Sequence, residues 1–184
     1  MRAAIHSIGL SAQSWFCRRV EQCLTLARDI RRRWYVYLAL VIAYGWALDH
    51  IRINVSHSLP YTLLYVEHSP RELRRGDLVV YRFAGGEDGQ YANMRGVPFL
   101  KRIRGVAGDR ITVDGRMALV NGEPVGYAKP RSWDGTPLDV IYSGVIPGAR
   151  FYVQGDSPDS FDSRYSHNGL IRAEQIAARA RVIF

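Results

Sequence analysis

The sequence predicts a mainly β fold: an antiparallel, twisted, β-barrel-like domain with a small irregular insertion, preceded by one N-terminal transmembrane helix. Three observations carry this. From Ile51 onward, short runs of alternating apolar and polar residues are punctuated by glycine, proline and aspartate, the mark of several short strands joined by tight turns. Residues 34–48, WYVYLALVIAYGWAL, carry no formal charge and follow Arg31-Arg32-Arg33. The only two cysteines, Cys17 and Cys23, precede that run, so the β domain must be held by its core rather than by disulfides. The chain thus divides into a basic segment over 1–33, a helix over 34–50 and a β domain over 51–184, within which 126–147 reads as an insertion or small lobe.

The formal net charge is +8, and much of it sits in residues 1–33, where seven arginines face only Glu21 and Asp29. Such basicity is a flank and not a nucleic-acid-binding face, so no nucleic acid is expected as a partner. A helix over 34–48 would be roughly 22 Å long, short of the ~30 Å hydrocarbon layer. Snorkelling by Arg33 and the interfacial rings of Trp34, Tyr35, Tyr37, Tyr44 and Trp46 can close that gap. The alternative, a helix buried in a soluble core, leaves the triple arginine without a partner. The positive-inside rule then sets residues 1–33 in the cytoplasm and the β domain across a membrane, with lipid as a partner. Phe16, Val20, Cys23, Leu24 and Ala27 recur at helical spacing among the arginines, as in a basic amphipathic helix on the inner leaflet or a solvated one.

Within the β domain, IRINVSHS alternates Ile51, Ile53 and Val55 against Arg52, Asn54 and Ser56, which predicts a half-buried strand that Pro60 ends. TLLYVEH and LVVYRF follow as strands, separated by the turn SPRELRRGD. Residues 84–98 hold four glycines and read as a surface loop. FLKRIRGV is a strand with Lys101 and Ile103 on one face and Leu100, Arg102 and Arg104 on the other. RITVD and MALV form a hairpin at Asp114-Gly115, and ARFYVQ is a further strand. The tail IRAEQIAARARVIF mixes helical and strand preference, and periodicity leaves it open.

Lysine usage points to chemistry. Lys101 and Lys129 are the only lysines, every other basic side chain apart from histidine being arginine. Arginine keeps its proton at any working pH, whereas a buried lysine can lose it and act as a base. Lys101 lies between Phe99-Leu100 and Ile103, an apolar setting that would depress its pKa. A serine hydroxyl needs such a base to attack a carbonyl. Ser56 and Ser58, two apart in an extended strand, would share a face, so Ser58 is the candidate nucleophile and Lys101 the candidate base. Ser56 Oγ and the Ser58 N–H are candidate oxyanion donors. His57 points to the other strand face, and nothing in the sequence draws His68 or His167 to Ser58. GDSPDSFDSRYSHNGLI, residues 155–171, gathers Asp156, Asp159, Ser160, Asp162, Ser163 and Arg164 in a turn-rich stretch. Asp162 and Arg164 suit an internal ion pair, and no glutamate supplies a calcium ligand there.

SHSLP, RGDLVVY, FLKRIRGVAGD and GDSPDSFDSRYSHNGLI resemble, in order and approximate spacing, the boxes of membrane-bound type I signal peptidases over residues 51–184. The single residue between Ser58 and Pro60, and the short GDSPDSFDSR box, resemble the conjugative-transfer, TraF-type pilin-maturation branch. The resemblance implies Ser58 as nucleophile, Lys101 as general base and Ser56 as an oxyanion side chain. It implies Ser160 as the hydroxyl orienting Lys101, with Asp162 and Arg164 stabilising the site and Gly155 and Asp156 shaping its wall.

The expected protein is therefore a single-pass serine endopeptidase of a bacterial cytoplasmic membrane with an extracytoplasmic catalytic domain. It would cleave leader peptides from precursors bound as extended peptides, a conjugative prepilin foremost, with no cofactor and no metal. The alternatives are a general signal peptidase, a non-catalytic anchored β scaffold, and a self-cleaving repressor-type protease. The last would carry a DNA-binding domain where this chain has an apolar run.

Overall fold

The computed structural model describes residues 22, 25, 28–54, 58–70, 72–86, 89 and 91–184. The chain forms two units, residues 1–48 and 49–184. The segment expected to form an amphipathic helix lies largely outside the described residues. The uncharged run forms helix α1, Trp34–His50, of 17 residues, none of them buried. Among the described residues no helix is long and apolar enough to cross a membrane, so α1 is the predicted helix but is shorter than a spanning one.

The second unit is built from eleven strands in chain order: β1 (Ile51–Ile53), β2 (Leu63–His68), β3 (Leu78–Arg82), β4 (Pro98–Gly105), β5 (Arg110–Asp114), β6 (Met117–Val120), β7 (Glu123–Tyr127), β8 (Gly144–Val145), β9 (Arg150–Gln154), β10 (Ile171–Arg172) and β11 (Ile176–Val182). Seven make one antiparallel sheet in the order β1-β2-β11-β3-β4-β9-β10, and four make a second in the order β7-β6-β5-β8. The expected barrel is thus not closed. The sheets are two open layers, with β1 and β10 as outer strands of the larger one.

Strand alternation builds the core. On β3, Val79 and Tyr81 face a cluster with Phe83, Ile103, Val153 and Ile171, while Leu78 faces another with Leu59, Leu64 and Ala180. Each such burial contributes about 1.5–3 kcal/mol, and successive residues of one strand serve opposite faces. A third cluster packs Ile111 and Val120 of the smaller sheet and Ile146 against Tyr152 of β9 in the larger one. β4 passes close to it. At Gly105, where its pairing with β9 shifts register, an added Cβ would lie 2.6 Å from Ile146 Cδ1 and 3.1 Å from Tyr152 Cβ, so only glycine lets the chain pass so close to the second core.

Several elements differ from expectation for local reasons. The first strand ends at Ile53 and Ser58 stands in a turn instead; the Asn54 N–H still donates to Thr62 O (2.9 Å), and its side chain reaches Tyr61 O (2.9 Å). The tail forms β11. It fills the gap between β2 and β3, pairing both, and Ala178 and Ala180 are buried there; satisfying two rows of strand donors and acceptors outweighs alanine's helical preference. The loop 84–98 contains one helical turn, Ala92–Met94. The β5–β6 hairpin turns through Gly115, at φ 58, and Arg116. Of the expected insertion over 126–147, residues 126–127 end β7 and 144–145 form β8, and 128–143 follow an irregular path with isolated bridges Arg131 to Pro137 and Val140 to Tyr165.

Candidate active site

Lys101 lies in the middle of β4, opposite Val79 of β3. Its neighbours on the same face, Phe99 and Ile103, pack into the core cluster, so the side chain is only 4% exposed. Nζ stands 2.8 Å from Ser58 Oγ and 2.7 Å from Ser160 Oγ, close enough to donate to both as an ammonium. The Phe99 ring centre is 5.7 Å away. Burial pushes the Lys101 pKa down to about 8; the Asp162 carboxylate opposes this and the Arg164 guanidinium adds to it. Desolvation wins, since neither charge balances the loss of water around the ammonium.

Ser58 is delivered by a turn, not a strand. Leu59 is buried with Leu64, Leu78 and Ala180, which anchors the turn from below. From the side, the Ser58 carbonyl accepts the N–H groups of Asp156 (2.8 Å) and Ser157 (3.2 Å). The serine and acidic stretches are thereby tied through backbone alone. Asn54 braces the same turn through Leu59 O (3.3 Å) and Tyr61 O; sequence reading passed over it, because an asparagine on the polar side of the alternation carries no signal of its own.

The 155–164 stretch wraps a buried ion pair. Asp162 is inaccessible and Arg164 only 3% exposed. Arg164 Nε donates to Asp162 Oδ1 (2.9 Å) and Nη2 to Oδ2 (2.9 Å), a two-point fork. Nη2 also donates to Ser157 O (3.0 Å) and Ser160 O (2.9 Å). Asp162 Oδ2 accepts the Gly155 N–H (2.9 Å). The pair therefore shapes the loop that sets Ser160 against Lys101.

Of the sequence-predicted residues, Ser58, Lys101, Ser160, Asp162 and Arg164 come together. Asp156 offers its N–H to Ser58, while its carboxylate turns away toward Arg104 (3.3 Å) and Arg102 (3.7 Å). Ser56 and His57 lie outside the described residues. His68 pairs with Asp49, and the His167 ring packs against Tyr91 at 5.6 Å. The other lysine, Lys129, pairs with Asp159 at the surface. An open cavity of about 670 Å³ leads to the site, lined by Ser58 and Lys101 together with Leu64, Val66, Val80 and Leu100.

Gly155 closes against this arrangement. A Cβ there would lie 2.3 Å from Ser160 Oγ, 2.8 Å from Ser160 Cβ and 3.0 Å from Ser58 O. Gly155→Ala is expected to push both serines off Lys101, lowering kcat by about 10²-fold. Single-turnover kinetics checks this; an unchanged kcat would show that the contact relaxes freely.

A serine hydroxyl thus stands on a buried lysine amine, beside an apolar groove in an antiparallel scaffold. The profile described as "Signal peptidase, peptidase S26" matches residues 31–184, and the chain belongs to that family. It stands near the TraF-type members, being 27% identical over 146 residues to the conjugal transfer protein TraF of Agrobacterium fabrum, a match covering 72% of this chain and 81% of that one. It is also 29% identical over 113 residues to signal peptidase I of Leptolyngbya laminosa, over 60% of this chain and 52% of that protein's length. A crystal structure of a signal peptidase I from Enterococcus faecalis aligns with 63% of this chain and all of its own, at 18% identity and a TM-score of 0.38.

Proposed function

We propose that the chain is a serine endopeptidase that removes leader peptides from translocated precursors, a conjugative prepilin foremost, with Ser58 as nucleophile and Lys101 as general base. The observation that carries this reading is the 2.8 Å approach of Ser58 Oγ to Lys101 Nζ at a buried amine whose pKa is pushed down to about 8. The unprotonated amine takes the Ser58 proton as Oγ attacks the scissile carbonyl. It returns that proton to the leaving amine as the tetrahedral intermediate collapses to an ester, which water then hydrolyses. Ser58 N–H and Ser56 Oγ hold the oxyanion. Ser160 orients Nζ, and Asp162, Arg164 and Asp156 brace the loop beside it.

The substrate enters extended. β1 is the outer strand of its sheet among the described residues, and a precursor segment would add beside it with small side chains entering the apolar cavity. The alternative of general processing of secreted proteins is favoured by the similarity to the Leptolyngbya enzyme. The prepilin reading is favoured by the longer match to TraF. The chain is anchored in the cytoplasmic membrane by residues 34–50, with the arginine flank on the cytoplasmic side. The supports are an uncharged run bounded by interfacial aromatics and a helix apolar on every side with no residue buried.

Ser58→Ala is expected to leave precursor uncut, whereas Ser56→Ala only slows cleavage; equal loss in both would exchange their roles. In the intact enzyme kcat/KM should rise with pH and level off above about 8, since only the unprotonated Lys101 accepts a proton. A profile flat from pH 6 to pH 9 would remove Lys101 from the mechanism.

A further inference from the structure

Outside the site stands an arginine with an unusual set of partners. Arg116, at the β5–β6 turn, aims its guanidinium at three backbone carbonyls: Nε donates to Ala128 O (2.6 Å), and Nη2 to Lys129 O (2.9 Å) and Leu138 O (2.5 Å). Its own carbonyl accepts the Ala128 N–H (2.8 Å). One rigid fork thus gathers both ends of the irregular segment 128–138, beside that segment's own backbone bonds from Leu138 N–H to Pro130 O (3.0 Å) and from Ser132 N–H to Thr136 O (2.8 Å). Only arginine offers so many donors in a fixed plane.

That segment grips the loop of the active site. The Ile141 N–H donates to Arg164 O (2.9 Å), and the Ser166 N–H to Asp139 O (3.0 Å). The Lys129 N–H reaches Tyr165 Oη (3.3 Å), and the Lys129 ammonium pairs with Asp159. Ala128, Leu138 and Tyr165 form one buried cluster, with Phe161 and Tyr91 against it. Every one of these contacts falls on residues 159–166 or their packing partners, the stretch that carries Ser160, Asp162 and Arg164.

We propose that Arg116 is a positioning residue for the Ser58–Lys101 site: it clasps the 128–141 segment, which in turn holds the 159–166 loop and keeps Ser160 and its backing against the lysine amine. The inference rests on the proposed role of Lys101. With the clasp opened, the loop retreats and water reaches Nζ. Lys101 is then faced by Asp162 and Arg164 from the loosened loop and by the Ser58 hydroxyl from the β1 turn, and the desolvation that depressed its pKa is lost. Arg116 touches neither substrate nor the reacting atoms.

Because the chain has only two lysines, selective lysine labelling gives two side-chain signals, and exposed Lys129 serves as the reference for Lys101. The titration is followed by NMR in the full chain in detergent micelles, for the parent and for Arg116→Met. The Lys101 midpoint should rise by about one pH unit, a tenfold gain in proton affinity, and kcat at pH 7.5 should fall about tenfold while recovering at pH 9.5. An unmoved Lys101 midpoint, or a loss of rate equal at both pH values, overturns the proposal, because a merely structural role lowers the active fraction at every pH. Should Arg116→Met not fold, Arg116→Gln is measured instead: it keeps a polar side chain without the three-way fork and adds no lysine signal, and the same rise is expected with the same overturning result. A parent enzyme whose rate ignores the Lys101 titration would instead defeat the general-base reading, while the NMR shift would still decide the clasp.

Discussion

Lys101→Arg is expected to abolish precursor cleavage, a loss of at least about 10²- to 10⁴-fold, although the positive charge is retained. Arginine cannot release its proton at working pH, so Ser58 would face a permanent donor. Lys101→Met should be equally inactive and also more stable. In the folded chain the Lys101 pKa is pushed down to about 8, whereas an unfolded lysine titrates near 10.4. Below about pH 8 folding therefore forces a charge into an apolar site, at a cost of about 3 kcal/mol. Removing the amine relieves this but gives up its hydrogen bonds to Ser58 and Ser160, worth about 1 kcal/mol each. A net gain of about 1–2 kcal/mol should remain at pH 7. The sign follows from linkage: between about pH 8 and 10.4 the unfolded state binds the extra proton, so the parent gains stability as pH rises and the advantage of methionine fades. Thermal melts of both proteins at pH 6.5 and pH 10 check this. A methionine variant less stable at pH 6.5 would mean that Lys101 is not desolvated as the geometry implies.

Asp162→Ala should be the most destabilising single change in the site, by about 3–5 kcal/mol. Arg164 is 3% exposed and would be left as a buried charge without its carboxylate, and the Gly155 N–H would lose its acceptor. In a domain whose total stability is about 5–15 kcal/mol, that is a large share, and Tm should fall by roughly 10 °C or more. The double variant Asp162→Ala, Arg164→Met should recover part of the loss, because both charges leave together. In the fraction of the single variant Asp162→Ala that stays folded with its loop in place, the kinetic midpoint should move below about 8: Asp162 holds the Lys101 pKa up and Arg164, still present, presses it down. A melt within 2 °C of the parent, checked by calorimetry, would show that the pair is solvated in solution.

The strands were legible where one face is buried and the other is not, as in Leu78–Arg82 and Pro98–Gly105. The ends of elements were less so. Pro60 marks a stop, but the strand ends already at Ile53, and Asn54 just beyond it binds carbonyls of Thr62, Tyr61 and Leu59, partners that exist only once the turn is folded. Closure of the sheet into a barrel was misread for a similar reason: strand count is local, whereas whether β1 and β10 meet depends on twist accumulated over seven strands.

By itself, the sequence determined the family, through boxes whose order survives in a linear string, and the chemical oddity of a lone lysine among apolar residues. It also determined the arginine flank and the uncharged run, since charge and hydropathy need no neighbours to be read. Tertiary structure decided whether the tail was helix or strand, where Ser58 stands, and how Arg116 reaches the far side of an irregular segment. Those depend on groups tens of residues apart satisfying one another's donors, acceptors and apolar faces, and only the folded chain brings such groups within contact distance.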